Sequence, residues 1–141
     1  MSRILGVYAP HIEFSKFTTI LNTQIQQGWE PEFCRSAFDA SILIRNHRLG
    51  AFAICPDLSV NEIILNHPIP DLLISAKEAR PKLDHCVFAP EGAWGATDVT
   101  AISPDCKIIT LDTRRNIEYI ARQISGNLNP WLKAIPKRRR I

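Results

Sequence analysis

An acid that closes a buried apolar run stands where chemistry is often done, and Asp57 closes "AFAICPD" in this way. A carboxylate so placed can accept a phosphoryl group, ligate a metal, or cap the segment that follows. Asp98 and Asp112 flank a turn-type sequence, "SPDC", and Arg114 stands two residues beyond Asp112; paired acids beside a basic side chain can hold a divalent cation. The four cysteines, Cys34, Cys55, Cys86 and Cys106, form no CxxC pair, which argues for reduced thiols acting as small hydrophobes rather than for a zinc ribbon. His11, His47, His67 and His85 show neither HxxxH nor HExxH spacing, so no single-helix metal site is expected. "EGAWGA" fits neither phosphate-binding glycine pattern, and no GxSxG elbow occurs.

The remaining chemistry is electrostatic. Lys133, Lys137, Arg138, Arg139 and Arg140 lie between Asn127 and Ile141 with no acid among them, which leaves the rest of the chain with 12 basic against 14 acidic residues. The whole net charge of +3 therefore comes from the tail. Such a run can engage an acidic protein surface or nucleic acid, and Trp131 amid these prolines and cations is a candidate interface anchor.

These residues need a scaffold. A chain of 141 residues fits one domain and can bury roughly two-thirds of its unfolded surface. No apolar run approaches the ~20 residues of a membrane span, so no membrane role is expected. Met1 to Arg3 lead into "ILGVYAP", shorter than a secretory apolar region, and a cytoplasmic location is expected.

"RILGVYAP" reads as a buried strand ended by Pro10. Phe14, Phe17, Ile20, Leu21 and Ile25 recur at helical steps, with Gly28 as the stop. "EPEFCRS" predicts a short strand, "AFDASILIRNHR" a short helix, and "AFAIC" a central strand, since its lack of polar alternation marks burial on both faces. A capping box at Ser59 and Glu62 predicts a helix over "SVNEIILNHP". "DLLISA" predicts a fourth strand, "HCVFAP" a fifth, and Asp98 to Ser103 with Lys107 to Asp112 a hairpin. A last helix is expected from about Thr113 to Ser125, stopped by Gly126. The organisation is thus a single α/β domain over residues 1–126 and a basic, proline-containing tail over 127–141. Its expected architecture is three-layered and flavodoxin-like, with right-handed crossovers and a working edge outside the carboxyl ends of the strands.

With Asp57-Leu58 after the third strand, "PDLLISAKEA" ending a strand at Ser75-Ala76, and "DHCVFAP" ending before Pro90, the chain from about Ser2 to Pro90 resembles the receiver (CheY-like) domains of response regulators. The resemblance implies an aspartate that takes the phosphoryl group at Asp57, acids after the first strand that hold magnesium, a phosphoryl-binding hydroxyl at Ser75, and a lysine before Pro90. The first strand, however, ends in Tyr8-Ala9-Pro10, and Ala89 stands where the lysine would be. A phosphoryl group in transfer needs its charge neutralised by metal and cation. The expected role is therefore that of a pseudo-receiver: a non-catalytic regulatory module with no cofactor. It would bind a protein partner, or nucleic acid, through Asp57, Ser75, Trp131, Lys133, Lys137, Arg138, Arg139 and Arg140. The alternative comes from "GATDVTAISPDCKIITLDTRR", which is similar to the hairpin of PD-(D/E)XK nucleases. It implies a magnesium-dependent site at Asp98, Asp112 and Arg114, with Glu13 as a further acid. An arginine in the lysine position stays protonated and serves poorly in proton transfer.

Overall fold

The computed structural model describes residues 3–10, 14–46, 48–55, 68–90, 106–112 and 116–136. Their order is β1 (Arg3–Tyr8), α1 (Phe14–Gln24), β2 (Trp29–Cys34), α2 (Ala37–Ile44), β3 (Leu49–Ile54), α3 (Pro68–Ala79), β4 (Asp84–Pro90), β5 (Lys107–Leu111) and α4 (Ile117–Ala134). The five strands form one sheet in the order β2-β1-β3-β4-β5, and every pairing is parallel. This is the flavodoxin-like order expected from the sequence.

Period-2 geometry places alternate side chains on opposite faces. Leu5, Val7, Ala51, Ala53, Cys86 and Phe88 pack beneath α1 and α4. Tyr8, Phe52, Ile54, Val87 and Ala89 pack beneath α2 and α3. Both faces of β3 are covered, which is why "AFAIC" is apolar at every position. Gly6, in the middle of β1, lets the α2 layer approach closely: a Cβ there would lie 2.8 Å from the Phe52 ring and 2.9 Å from Leu43. Between α1 and β2 the chain turns through Gly28 at φ +95°, a conformation that favours glycine.

Two sequence expectations are corrected. "DLLISA" is not a strand but the middle of α3. Leu72, Leu73 and Ala76 are buried while Ile74 is exposed, a helical rather than an alternating pattern, and Pro68 and Pro70 occupy the first turn, where their missing N–H groups cost no helical bond. A short apolar run is ambiguous between the two periods. The fourth strand is consequently "DHCVFAP" and the fifth is Lys107–Leu111. The latter pairs in parallel with β4; the other arm of the expected hairpin, residues 98–103, lies outside the described residues, as does the expected capping box at Ser59 and Glu62.

The second correction is at the C-terminus. The helix starts later than expected, with Asn116 Oδ1 accepting from the Tyr119 N–H at 2.9 Å as its cap, and it runs through Gly126 and Pro130 to Ala134. Residues 127–134 of the expected tail are therefore helix. Gly126 and Pro130 in a helix interior cost roughly 1 and 3 kcal/mol. Leu128, Leu132 and Ile135 are buried in the main cluster, at roughly 1.5–3 kcal/mol each, and burial wins. The bond lost at Pro130 would have gone to the Gly126 carbonyl; both residues are exposed.

Side-chain amides fasten α4 to the domain. Asn129 Nδ2 donates to the Gln24 carbonyl (2.9 Å) and its Oδ1 accepts from the Gln26 N–H (2.8 Å), which satisfies the C-terminal end of α1. Gln123 makes the same two-point contact with the backbone of Asp112, accepting from its N–H at 3.0 Å and donating to its carbonyl at 2.9 Å.

Candidate functional site

The strand order reverses between β1 and β3, and in open α/β sheets ligands sit outside the carboxyl ends of the strands at that point. Among the described residues, backbone pairing continues past the strand ends at this point. The Ala9 N–H donates to the Cys34 carbonyl (2.9 Å) and the Cys55 N–H to the Tyr8 carbonyl (2.8 Å), carrying the parallel ladder past the last strand residues. Tyr8, Ala9, Cys55 and Ala89 are all buried, Tyr8 being only 4% exposed. Asp57 lies outside the described residues.

The resemblance stated above implies a magnesium ion at this place, and the described residues do not fit one. Tyr8, Ala9, Pro10 and Cys55 bring no carboxylate, whereas a hard divalent cation draws its ligands and charge balance from oxygen donors. Among the described residues no group of three or more His, Cys, Asp or Glu side chains comes together. With β4 and β5 reassigned, the fourth strand ends in Ala89-Pro90 and the fifth in Leu111 followed by Asp112. The terminal residues Ala89, Pro90 and Leu111 themselves carry neither a hydroxyl nor an ammonium group; the residues that follow, 91–105 and 113–115, lie outside the described residues.

The thiols are equally unsuited to nucleophilic chemistry. Burial first, then the nearby carboxylates of Asp39 and Glu32, push Cys34 up to about 12, and its Sγ donates to the Val7 carbonyl at 3.5 Å. Burial likewise pushes Cys55 and Cys106 up to about 12 and raises Cys86. All four are free and protonated at neutral pH.

A groove of about 390 Å³ opens on the flank of the sheet, beside β2 and α2, rather than at the switch point; Phe33, Ile42 and Leu43 give it an apolar wall, and Glu32, Arg35 and Asp39 rim it. Ser36 caps α2 by accepting from the Asp39 N–H at 3.1 Å, which fixes the helix start at this rim. None of these residues was singled out by sequence motifs. The available signal was α2 itself, whose "AFDASILI" is apolar on nearly every side.

The residues expected to bind do not converge. Ser75 is half-buried on α3, so the strand-end position implied for it does not exist. Trp131, half-buried against the main cluster, and Lys133, exposed, lie on α4 on the opposite face of the sheet. Lys137, Arg138, Arg139 and Arg140 lie outside the described residues. Of the hairpin trio, Asp112 follows β5 and is held through its backbone by Gln123; Asp98 and Arg114, like Glu13, lie outside the described residues, and nothing in the fold favours the nuclease reading.

No family model matches the chain, and no curated protein matches it in sequence. Among solved structures it is similar to the response regulator domain of Thermotoga maritima CheB, with a TM-score of 0.64 and 14% identity over 96% of each chain. A CheY-like receiver domain protein from Methanospirillum hungatei JF-1 aligns with a TM-score of 0.56 and 17% identity, covering 94% of this chain and 98% of that one. A structure described as adenylate cyclase from Rhodopirellula baltica gives 0.56 at 12% identity, with 95% and 99% covered. The chain therefore has a receiver-like α/β fold, and at these identities the likeness is one of fold.

Proposed function

We propose that this chain is a pseudo-receiver: a non-catalytic regulatory module that acts through protein surfaces, with its basic C-terminal segment contributing, and that does not undergo magnesium-dependent phosphorylation at Asp57. The observation that carries this reading is the end of β1. Where the family's chemistry calls for acids, Tyr8, Ala9 and Pro10 present a buried aromatic ring and two residues without polar side chains. The strand ends at Ala89-Pro90 and Leu111 add no hydroxyl or cation to stabilise a phosphoryl group.

A fold keeps its core when its chemistry is lost, and what is left to act is surface. Phe38 and Ile42, one helical turn apart on α2, are 73% and 55% exposed. Together with the adjoining groove they offer the aromatic and aliphatic anchors that protein interfaces use. The test is incubation of the intact chain with magnesium and an acyl-phosphate donor, read by intact-mass spectrometry and by hydroxylamine trapping of acyl phosphate. The mass should be unchanged. A phosphorylated adduct mapped to Asp57 would overturn the reading.

A further inference from the structure

A helix that covers a sheet needs one apolar side, and α2 has two. Ala40 and Ile44 are buried in the cluster on the sheet. With about 3.6 residues per turn, the direction opposite to theirs belongs to Ile42. Residues three and four positions away share that outer face: Phe38 and Asp39 before Ile42, and Arg45, the C-cap in αR conformation, after it. Phe38, Asp39, Ile42 and Arg45 are all exposed. Among the described residues neither Asp39 nor Arg45 is in an ion pair.

This face is complementary to itself. A two-fold axis beside Ile42 sets two α2 helices antiparallel, so that Ile42 meets Ile42 of a second copy. Asp39 and Arg45 each stand three residues from Ile42, and Asp39 therefore lies level with Arg45 of the second copy. Symmetry forms that opposite-charge contact twice. Phe38, next to Asp39, falls beside the stem of the same arginine. An acid in the first turn and a cation at the last also complement the helix macrodipole, but the macrodipole does not account for an exposed phenyl ring and an exposed isoleucine beside them.

The neighbouring edge strand, β2, is poorly suited to pairing with a second copy. The Arg3 N–H donates to the Gly28 carbonyl and the Ala9 N–H to the Cys34 carbonyl. Even-numbered residues of β2 thus turn their backbone toward β1, and Trp29, Pro31 and Phe33 turn theirs outward. Pro31 has no N–H and the Trp29 N–H is spent on the Gln26 carbonyl, which leaves the Phe33 N–H as the strand's one outward donor.

We propose that the outer face of α2 is a self-association surface whose occupant is the same face of a second copy of this chain, paired antiparallel about Ile42. A patch that meets a foreign surface has no need of opposite charges in symmetric positions, whereas an isologous one does. Two helical turns make a small contact, so the dimer is reversible and depends on concentration. The inference rests on the pseudo-receiver reading only in taking α2 as a surface that engages protein.

The test is sedimentation equilibrium of the full chain at up to about 0.5 mM, where even a dissociation constant of about 1 mM raises the average mass. The parent mass should move from that of one chain toward that of two. Asp39→Arg and Arg45→Asp each place like charges at both contacts and should associate about tenfold or more weakly. An equimolar mixture of these two variants should recover association, because each supplies the charge that the other lacks. Ile42→Ser should also weaken association, and Tyr119→Ser, on the other helical layer, should behave as the parent does. Circular dichroism checks that each variant is folded. A parent chain that stays monomeric overturns the proposal. So do charge variants or Ile42→Ser that associate like the parent, a mixture that associates no better than its components, or a loss in Tyr119→Ser equal to that in Ile42→Ser. Each of these results leaves the pseudo-receiver reading standing, since that reading fails by phosphorylation at Asp57.

Discussion

The two helical layers that cover the sheet solve the same burial problem differently. The α1/α4 layer is the more closed: its apolar stripe faces inward, Asn129 and Gln123 bond the backbone of neighbouring elements, Ser125 Oγ donates to Gln24 Oε1 at 2.7 Å, and Tyr119 is the one large apolar residue exposed among its described positions. The α2/α3 layer buries Leu43, Ile44, Leu72 and Leu73 equally well, yet leaves Phe38, Ile42 and Ile74 exposed. A sheet face needs only one apolar stripe to cover it. The second apolar side of α2 is not used to cover the sheet.

The largest effect should come from breaking the closed layer at the point where the sequence suggests a domain end. A chain ending at Gly126 loses Leu128, Leu132 and Ile135 from the core, each worth about 2–5 kcal/mol on removal, against a total stability of roughly 5–15 kcal/mol. No cooperative thermal transition is expected from it, whereas a chain ending at Pro136 should melt like the full chain; a folded 1–126 fragment would refute the assignment of α4 to the core. Next in size is Asn129→Ala, which strands the Gln24 carbonyl and the Gln26 N–H. It should cost about 1–3 kcal/mol in urea unfolding, and a change within error would mean that water replaces the amide.

Legibility follows the same division. The first strand, the first helix, the central strand and the sheet order are all readable, because continuous apolar runs and a clean helical stripe each admit one period. "DLLISA" is not, since six apolar-rich residues fit both periods and the deciding signal, two prolines in a helical first turn, resembles a breaker. The end of α4 is misread for a related reason: Gly126 and Pro130 are local stop signals, and the contacts that override them come from α1 and the sheet, which local spacing does not reveal. At the site, the missing acids after β1 are legible as identities. The flank groove is not, because it arises from where β2 and α2 lie in space.

Thiol chemistry distinguishes the layers by access. Cys34 lines the groove beside α2, whereas Cys55 and Cys86 lie in the cluster under α1 and α4. Under an alkylating agent at pH 8, Cys34 should be modified before Cys55 and Cys86, with peptide mapping as the readout; simultaneous modification would show that the closed layer opens as readily as the other. Alkali adds a stability effect. The unfolded chain's thiols ionise near 9.0, while burial holds Cys55 at about 12. Between these values the unfolded state binds fewer protons, so stability that is fully present below pH 9 falls as pH rises toward 12. The loss should be on the order of 1 kcal/mol per pH unit for Cys55. Cys55→Ala should reduce this slope in alkaline urea titrations.

The smallest stability change should come from the exposed side of α2, and its smallness is what makes it decisive. Phe38→Ser and Ile42→Ser replace side chains that lie mostly outside the core, so each should move the unfolding free energy by no more than about 0.5–1 kcal/mol, Phe38 the less. Ile124→Ser, on the buried stripe of α4, should destabilise severely, since it loses apolar burial and puts a hydroxyl into the core. If Phe38→Ser were instead as costly, the ring would belong to the core and the α2 layer would be closed as well. If it is neutral, the apolar surface of α2 is carried by the chain without being needed to fold it, and a partner-facing role for that side becomes the simplest physical reason for Phe38 and Ile42 to be where they are.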